Sequence, residues 1–258
     1  MSILFYCDWP NKKTWIYQLK KKFHNEKIYI WPNIKKNDKA IKYAIVWDIP
    51  RGNLKNLTNL KAIFSLGAGV DHLLNDHDLP KVPIVRLKDP QLAKRMSNFV
   101  QCHIYNFQLN THKYIENKKN RFWSNEFGML DNNDLTIGIL GLGYIGSHIA
   151  NDLIKKGYKV QGFKRTRSSN NNKILVYYSK NQLKKFISTS DVIVSILPNT
   201  LKTNNFIDSK FFNNMKKKSL IINIGRGSTL DETAIMNHAK KNKSFSGVLD
   251  VFKQEPLK

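Results

Sequence analysis

The chain has 258 residues, of which 41% are hydrophobic, so it can bury one large core or two moderate ones. No apolar run approaches the length of a membrane span, and no basic leader precedes the first apolar stretch, which together predict a soluble cytoplasmic protein with no membrane partner. The two cysteines, Cys7 and Cys102, are too few and too widely separated for a disulfide framework or a clustered metal site, so no metal is expected.

The positive charge is distributed along the whole chain. Lys and Arg number 43 against 19 Asp and Glu, which leaves a formal charge of +24 and invites a nucleic-acid interpretation. The lysines, however, occur in short groups such as 20–22, 118–119 and 216–218, mostly at predicted helix ends and loops. We therefore expect a solvated basic surface that attracts polyanions nonspecifically, and no specific nucleic-acid partner.

The amino-terminal part alternates strand-like apolar runs with polar helical stretches, a pattern that is typical of a parallel sheet with helices on its faces. The predicted strands are 3–6, 27–31, 43–47, 62–66 and 83–87. Asp89-Pro90 then predicts a boundary, and a helix over about 92–117, which contains no Pro or Gly, is expected to join two lobes. The lobes are residues 1–90 and residues 91–258, the second including this helix.

A second α/β series follows, with predicted strands at 135–140, 159–163, 174–178, 192–197, 220–224 and 245–249. Its first strand leads into Gly141, Gly143 and Gly146, which lie in G-x-G-x-x-G register before an apolar stretch at helical spacing. In a dinucleotide site these glycines permit the tight turn, the approach of the phosphates and the packing of helix on strand. The pattern predicts a doubly wound parallel sheet of the Rossmann type, although an ordinary strand-to-helix turn can match three glycines by chance.

Five segments, taken in chain order, resemble the D-isomer-specific 2-hydroxyacid dehydrogenases. They are SLGAGVD at 65–71, the glycine turn, ILPNT at 196–200, INIGRG at 222–227 and LDVFKQEPL at 249–257. Val46-Trp47 and the ILPNT segment are most similar to the glyoxylate/hydroxypyruvate reductase A subgroup. The resemblance implies a flavodoxin-like substrate lobe, a Rossmann-type cofactor lobe, and reduction of a small 2-keto acid by hydride from a nicotinamide cofactor. It also implies a homodimer.

The residue types in two of these segments are suited to binding a 2-keto acid. A small-residue turn after the strand 62–66 would expose the amides of Ala68, Gly69 and Val70, which can hold a carboxylate, and Trp47 could wall the pocket. The alternatives are an ordinary turn capped by Asp71 and a buried core tryptophan. Arg226, between two glycines at a strand end, presents a planar fork of donors that suits a 2-keto acid; the alternative is a surface arginine in a turn.

The resemblance implies further roles. Glu255 would be catalytic through a protonated histidine, and Asp250 would contact the nicotinamide; otherwise both are solvated acids. The expected cofactor-binding residues are Gly141, Gly143, Tyr144, Ile145, Gly146, Leu197, Pro198, Thr203, Ile224, Gly225 and Asp250.

The family's histidine follows the Glu-Pro-Leu segment, as does a stretch that completes the substrate lobe, and the given sequence ends at Lys258. The alternative expectation is therefore a catalytically impaired, truncated cofactor-binding remnant. Loss of a general acid costs about 10²- to 10⁴-fold in rate.

Cofactor choice is predicted from the end of the strand 159–163. The segment 162–167 has no carboxylate for the ribose hydroxyls of NAD, whereas Lys164, Arg165 and Arg167 could pair with a ribose 2′-phosphate. NADP(H) is the preferred cofactor, and NAD(H) is possible. The alternative is that these are three more charges in a lysine-rich chain.

Overall fold

A computed structural model describes residues 2–34, 39–124, 128, 130–165 and 174–257. The chain divides into two compact units, Met1–Asp89 and Pro90–Lys258. Each unit contains its own parallel sheet and its own hydrophobic core. The mixed α/β class expected from the sequence is confirmed.

The first unit is a five-stranded parallel sheet with strand order β2-β1-β3-β4-β5, the order of flavodoxin-like folds. Its elements are β1 Ser2–Tyr6, α1 Lys12–Lys22, β2 Lys27–Ile30, β3 Tyr43–Val46, β4 Ala62–Ser65, α2 Asp71–Leu74 and β5 Ile84–Arg86. Fully buried aliphatic residues, among them Leu4, Ile41, Leu54 and Ile63, form its core. Because all five strands are parallel, β1, β3 and β4 end at the same edge of the sheet.

The second unit is a six-stranded parallel sheet with strand order β11-β10-β9-β6-β7-β8. Its elements are α3 Pro90–Gln108, α4 Thr111–Lys119, β6 Thr136–Leu140, α5 Tyr144–Lys155, β7 Lys159–Phe163, β8 Leu175–Tyr177, α6 Lys180–Thr189, β9 Val192–Ser195, α7 Ser209–Asn213, β10 Ser219–Asn223, α8 Glu232–Lys241 and β11 Phe245–Leu249. This is the Rossmann arrangement, in which the strand order reverses between β6 and β9.

The central strands of this sheet are buried on both faces. Alternate residues of β9 enter different cores: Val192 and Val194 join one hydrophobic cluster, and Ile193 joins the other. Strand β10 divides in the same way, because successive side chains of a strand point to opposite faces. Among the described residues no Lys or Arg is buried.

Every predicted strand has a counterpart whose ends differ by at most two residues. The single helix predicted over 92–117 is wrong. Helix α3 ends at Gln108 and α4 begins at Thr111, because Asn110 adopts a left-handed conformation with φ of 52°. The prediction relied on the absence of Pro and Gly, but Asn also enters this region of backbone space and can terminate a helix.

None of the helices in the described ranges is both long enough and apolar enough to cross a bilayer.

Candidate active site

The glycine turn brings helix α5 against strand β6. Gly141 has φ of +111°, a conformation that L side chains rarely adopt, and its amide donates to the carbonyl of Phe163 at 3.0 Å. A Cβ on Gly146 would lie 2.1 Å from the carbonyl oxygen of Gly141, so only glycine permits this contact. Gly143 is different, because a Cβ there would meet nothing within 4 Å. Its exposed side leaves room for a ligand.

The amino terminus of α5 is not capped by a side chain. Gly143 is the N-cap residue, and the first intrahelical bond runs from the Ser147 amide to the Gly143 carbonyl at 2.9 Å. The preceding amides, those of Tyr144, Ile145 and Gly146, therefore have no intrahelical acceptor. Such amides, together with the helix dipole, favour an anion such as a diphosphate.

The loops that follow β9 and β10 leave the sheet at the edge where the glycine turn lies. The Ile196 amide donates to the Leu140 carbonyl at 2.9 Å, and the Ile224 amide donates to the Ser195 carbonyl at 3.0 Å. Gly225 packs directly on the loop that follows β9, since a Cβ on Gly225 would lie 2.6 Å from the carbonyl oxygen of Leu197. The ILPNT and INIGRG segments are thus in contact through their backbones.

The loop after β11 joins them in the same manner. The Asp250 amide donates to the Asn223 carbonyl at 3.0 Å, and a Cβ on Gly227 would lie 1.9 Å from the carbonyl carbon of Phe252. The two glycines that flank Arg226 therefore hold its loop against the loops on both sides. Glycine at both places is a steric requirement of the packing.

The backbone of Arg226 is fixed from within its own loop. Its carbonyl accepts hydrogen bonds from the Thr229 hydroxyl at 2.7 Å, the Thr229 amide at 3.2 Å and the Asn223 side chain at 3.3 Å. The half-buried guanidinium donates through one NH group to the Gly225 carbonyl at 2.8 Å. This bond ties the orientation of the guanidinium to the backbone of its own loop.

The ILPNT loop is folded on itself by Thr203. The Thr203 hydroxyl donates to the Pro198 carbonyl at 2.5 Å, and its oxygen accepts from the Thr200 amide at 2.9 Å. The Thr203 hydroxyl thus stabilises the loop. Pro198 is exposed and Leu197 is half-buried.

The two predicted acids are both exposed. Asp250 follows β11 directly, and Glu255 accepts a hydrogen bond from the Phe252 amide at 2.8 Å. That bond gives Glu255 a local structural role. No described histidine is paired with its carboxylate.

The end of β7 carries the basic residues. The Lys164 amide donates to the Tyr177 carbonyl at 3.1 Å, its side chain is half-buried, and Arg165 is exposed. Arg167 lies outside the described residues. Gly162 lets the Leu142 side chain lie over the strand, because a Cβ there would be 2.1 Å from Leu142 Cδ1.

In the first unit, the turn after β4 has a short internal network. The Ser65 hydroxyl accepts from the Gly67 amide at 3.2 Å and donates to the Gly69 carbonyl at 3.3 Å. Ala68, Gly69 and Val70 are half-buried. Val70 is the N-cap position of α2 and Asp71 is its first helical residue, so the N-cap lies one residue before the position that the alternative expected.

Trp47 is half-buried and lies against this turn; a Cβ on Gly67 would be 2.0 Å from Trp47 Cζ3. Its ring contacts Trp9, with centroids 5.5 Å apart, and His72, with centroids 4.6 Å apart. Neither Trp9 nor His72 was predicted for this site from the sequence. The position of Trp9 just beyond the strand 3–6 was the available signal.

A glycine turn with an uncapped helix amino terminus, at the reversal of strand order in a parallel sheet, defines a dinucleotide-binding domain of the Rossmann class. The donor chemistry fits a diphosphate, and the open side of Gly143 leaves space for one. Residues 102–258 match the family model described as "D-isomer specific 2-hydroxyacid dehydrogenase, NAD binding domain". The chain belongs to the D-isomer specific 2-hydroxyacid dehydrogenase family, and it is an oxidoreductase of that kind.

Known relatives agree with this assignment. Glyoxylate/hydroxypyruvate reductase A of Photorhabdus laumondii is 32% identical over 263 residues, which cover 100% of this chain and 83% of that protein. The enzyme of the same name from Yersinia enterocolitica is 28% identical, with the same coverage.

Two solved structures have the same fold. One is a D-isomer specific 2-hydroxyacid dehydrogenase from Xanthobacter autotrophicus in complex with NADPH and MES, with TM-score 0.91 and 26% identity over 100% of this chain and 82% of that one. The other is an NADPH-dependent glyoxylate/hydroxypyruvate reductase from Sinorhizobium meliloti with NADP and sulfate, with TM-score 0.87 and 27% identity over 100% and 83%.

Within the described residues, no group of three or more His, Cys, Asp or Glu side chains is arranged to hold a metal ion.

Alanine substitutions of Gly143 and Gly146 are expected to have different effects. Gly143→Ala should leave the unfolding midpoint unchanged or slightly higher, because its Cβ enters open space and its φ is −83°. It should weaken NADPH binding on the order of tenfold, or about 1.4 kcal/mol, since the methyl group stands where the phosphates approach. Gly146→Ala should instead destabilise the fold by about 1–3 kcal/mol through overpacking.

Thermal unfolding and fluorescence titration with NADPH measure both effects. Equal destabilisation by the two variants would contradict the geometry of the turn.

Proposed function

We propose that this enzyme reduces a small 2-keto acid, glyoxylate or hydroxypyruvate, to the 2-hydroxy acid with NADPH as the preferred reductant and NADH as a possible one. The observation that carries the proposal is the placement of the glycine turn and the Arg226 loop at one edge of the same sheet, where both contact the backbone of Ile196-Leu197. The names of the relatives support the choice of substrate class.

The coenzyme is assigned to the second unit. Its diphosphate would lie on the amides at the start of α5, where Gly141, Gly143 and Gly146 shape the turn and Tyr144 and Ile145 supply donors. The remaining proposed contacts are Leu197, Pro198, Thr203, Ile224, Gly225 and Asp250. When bound, the nicotinamide supplies the hydride for the carbonyl carbon of the keto acid.

Selectivity for NADPH is assigned to Lys164, Arg165 and Arg167. Lys164 and Arg165 follow β7, where an NAD-specific domain would carry an acid. Guanidinium and ammonium groups pair with a ribose 2′-phosphate through charge-assisted hydrogen bonds, and no nearby carboxylate in the segment 162–167 opposes them. The relatives from Xanthobacter and Sinorhizobium that were crystallised with NADPH or NADP support this choice.

Arg226 is the proposed catalytic residue. Its guanidinium would bind the keto acid and stabilise the negative charge that develops on the carbonyl oxygen as hydride adds to the carbon. The bond to the Gly225 carbonyl orients the group before substrate arrives, so little reorganisation is needed.

The first unit is assigned the substrate-binding role. The amides of Ala68, Gly69 and Val70 would hold a carboxylate, and Trp47 would form an apolar wall beside them. Glu255 is assigned a positioning role, in which its carboxylate would hold in the protonated form the histidine that follows the Glu-Pro-Leu segment in the family, and that histidine would give the new alkoxide its proton. The present bond of Glu255 to the Phe252 amide leaves the second oxygen for that task.

We also propose a homodimer. Helix α4 and its flanking residues in the second unit expose several large apolar side chains. They are Leu109, Tyr114, Ile115, Phe122 and Trp123, of which Trp123 is 89% exposed. A second copy of the chain would remove this apolar area from water.

Arg226→Ala is expected to lower kcat/KM for glyoxylate by about 10²- to 10³-fold, because a donor to the developing oxyanion is lost. Arg226→Lys should retain little more kcat/KM than Arg226→Ala, since an ammonium group lacks the planar fork of donors. The oxidation of NADPH on addition of glyoxylate to the 258-residue chain measures both, and Arg95→Ala, an exposed arginine of α3, is the control.

An unaffected Arg226→Ala would refute the role of Arg226. A wild-type 258-residue chain that binds NADPH without oxidising it in the presence of either keto acid would favour the catalytically impaired alternative over the proposed reaction.

Arg165→Ala is expected to weaken NADPH binding on the order of tenfold while leaving NADH binding unchanged, because only NADPH carries the 2′-phosphate. Lys159→Ala removes an exposed charge from the opposite end of the same strand and serves as the control. Fluorescence titration with each coenzyme gives the ratio of dissociation constants. Equal losses of NADPH affinity in Arg165→Ala and Lys159→Ala would mean that the overall positive charge, and not a contact with the 2′-phosphate, is responsible.

Trp123→Lys is expected to shift the chain from dimer to monomer, because it places a charge in the apolar surface around α4. Static light scattering at several protein concentrations measures the mass. Met236→Lys, at an exposed apolar position of α8, should leave the mass unchanged. A monomeric wild-type chain would contradict the proposed dimer.

A further inference from the structure

Trp47 is held between two other rings in the first unit. The Trp9 ring lies 5.5 Å from it at an interplanar angle of 42°, and the His72 ring lies 4.6 Å from it at 55°. Distances of this size are typical of favourable ring packing. The side chain of Trp47 is therefore confined from two directions.

The three rings come from three neighbouring places at one edge of the sheet. Trp9 follows β1, Trp47 follows β3, and His72 lies in α2 just after the turn that follows β4. The backbone keeps the strand ends in register, because the Trp47 amide donates to the Tyr6 carbonyl at 2.9 Å and the Leu66 amide donates to the Val46 carbonyl at 3.1 Å. The order of the strands places Trp47 in the middle.

Trp9 in turn packs against helix α1. Trp15 of α1 packs on it with ring centroids 5.8 Å apart, and the Lys12 amide donates to the Trp9 carbonyl at 3.0 Å. Trp9 is half-buried in consequence. It therefore acts as a fixed support and not as a freely rotating surface side chain.

On the turn side, the indole of Trp47 occupies the space over Gly67. A Cβ at Gly67 would lie 2.0 Å from Cζ3 and 2.8 Å from Cε3 of Trp47. Gly67 immediately precedes the amides of Ala68, Gly69 and Val70. Movement of the indole would therefore change the space next to these amides.

We infer that Trp9 and His72 are positioning residues that hold Trp47 as a rigid wall beside the 68–70 turn, and that this wall limits the size of the group attached to the keto carbon of the substrate. The inference rests on the proposed function. A rigid wall excludes a bulky substituent sterically, whereas a wall that can rotate accommodates it. Glyoxylate, with a hydrogen at this place, fits the confined arrangement, and phenylpyruvate does not.

Trp9→Leu and His72→Leu should each raise the ratio of kcat/KM for phenylpyruvate to kcat/KM for glyoxylate by about tenfold, the size of effect that apolar pocket contacts produce. The change for glyoxylate should be mainly in KM, since neither residue touches the reacting atoms. Trp9→Phe keeps a ring against Trp47 and should restore most of the wild-type ratio. Trp31→Phe is the matched control, because the Trp31 ring packs on Tyr6, with centroids 5.0 Å apart, and no described ring contact joins it to Trp47.

A second readout does not need turnover. Residues 1–89 contain four of the five tryptophans, Trp9, Trp15, Trp31 and Trp47, so intrinsic fluorescence reports mainly on this unit. In the presence of NADPH, oxalate, an unreactive carboxylate, should bind to the wild-type chain and reduce the quenching of its tryptophan fluorescence by acrylamide. Trp9→Leu and His72→Leu should reduce this protection, and Trp31→Phe should keep it. Thermal unfolding verifies that each variant is folded.

The possible failures are distinguishable. A wild-type chain without turnover and without oxalate protection would overturn the proposed function. A wild-type chain with either property, combined with Trp9→Leu and His72→Leu variants that keep the wild-type substrate ratio and protection, would overturn only the role of these two residues. A Trp9→Phe variant that behaves like Trp9→Leu would also overturn it.

Discussion

The second unit depends on the close approach of helix α5 to strand β6. Gly146 lies so near the carbonyl of Gly141 that no side chain fits between them, and the left-handed conformation of Gly141 turns the chain within two residues. This contact fixes the direction of α5 and places its uncapped amides at the edge of the sheet. A looser turn would accept ordinary residues, but it would displace the amides that an anion needs.

The same kind of contact recurs beside Arg226. Gly225 and Gly227 press against the backbones of Leu197 and Phe252, so three loops from three strands are joined without side chains between them. Backbone atoms have few alternative positions once their strands are paired, and the Arg226 carbonyl is held by three hydrogen bonds. The guanidinium is thus placed by the sheet itself. A side chain on such a rigid support keeps its geometry before any ligand binds, as the catalytic role proposed for Arg226 requires.

Hydrophobic periodicity was enough to predict the strands, and glycine spacing was enough to predict the dinucleotide turn, because both depend on residues close together in the sequence. The family was predicted from the resemblance of five short segments, and the family model confirms it. The break at Asn110 was missed because asparagine permits, but does not require, a left-handed conformation, and only the surrounding packing decides. The contacts of Trp9 and His72 with Trp47 join residues that are far apart in the chain. Side-chain contacts of this kind follow from strand order, which local patterns do not encode.

The division into two units, each with its own core, has a consequence for how such an enzyme changes over time. The residues proposed for coenzyme recognition all belong to Pro90–Lys258, whereas the tryptophan wall belongs entirely to Met1–Asp89. The hydrophobic clusters formed by the described residues each belong to a single unit. On these assignments, mutations in the first unit can change the preferred acid without altering the proposed coenzyme-binding residues, and recombination at the Asp89-Pro90 junction would exchange the tryptophan wall while Arg226 and the coenzyme site stay together.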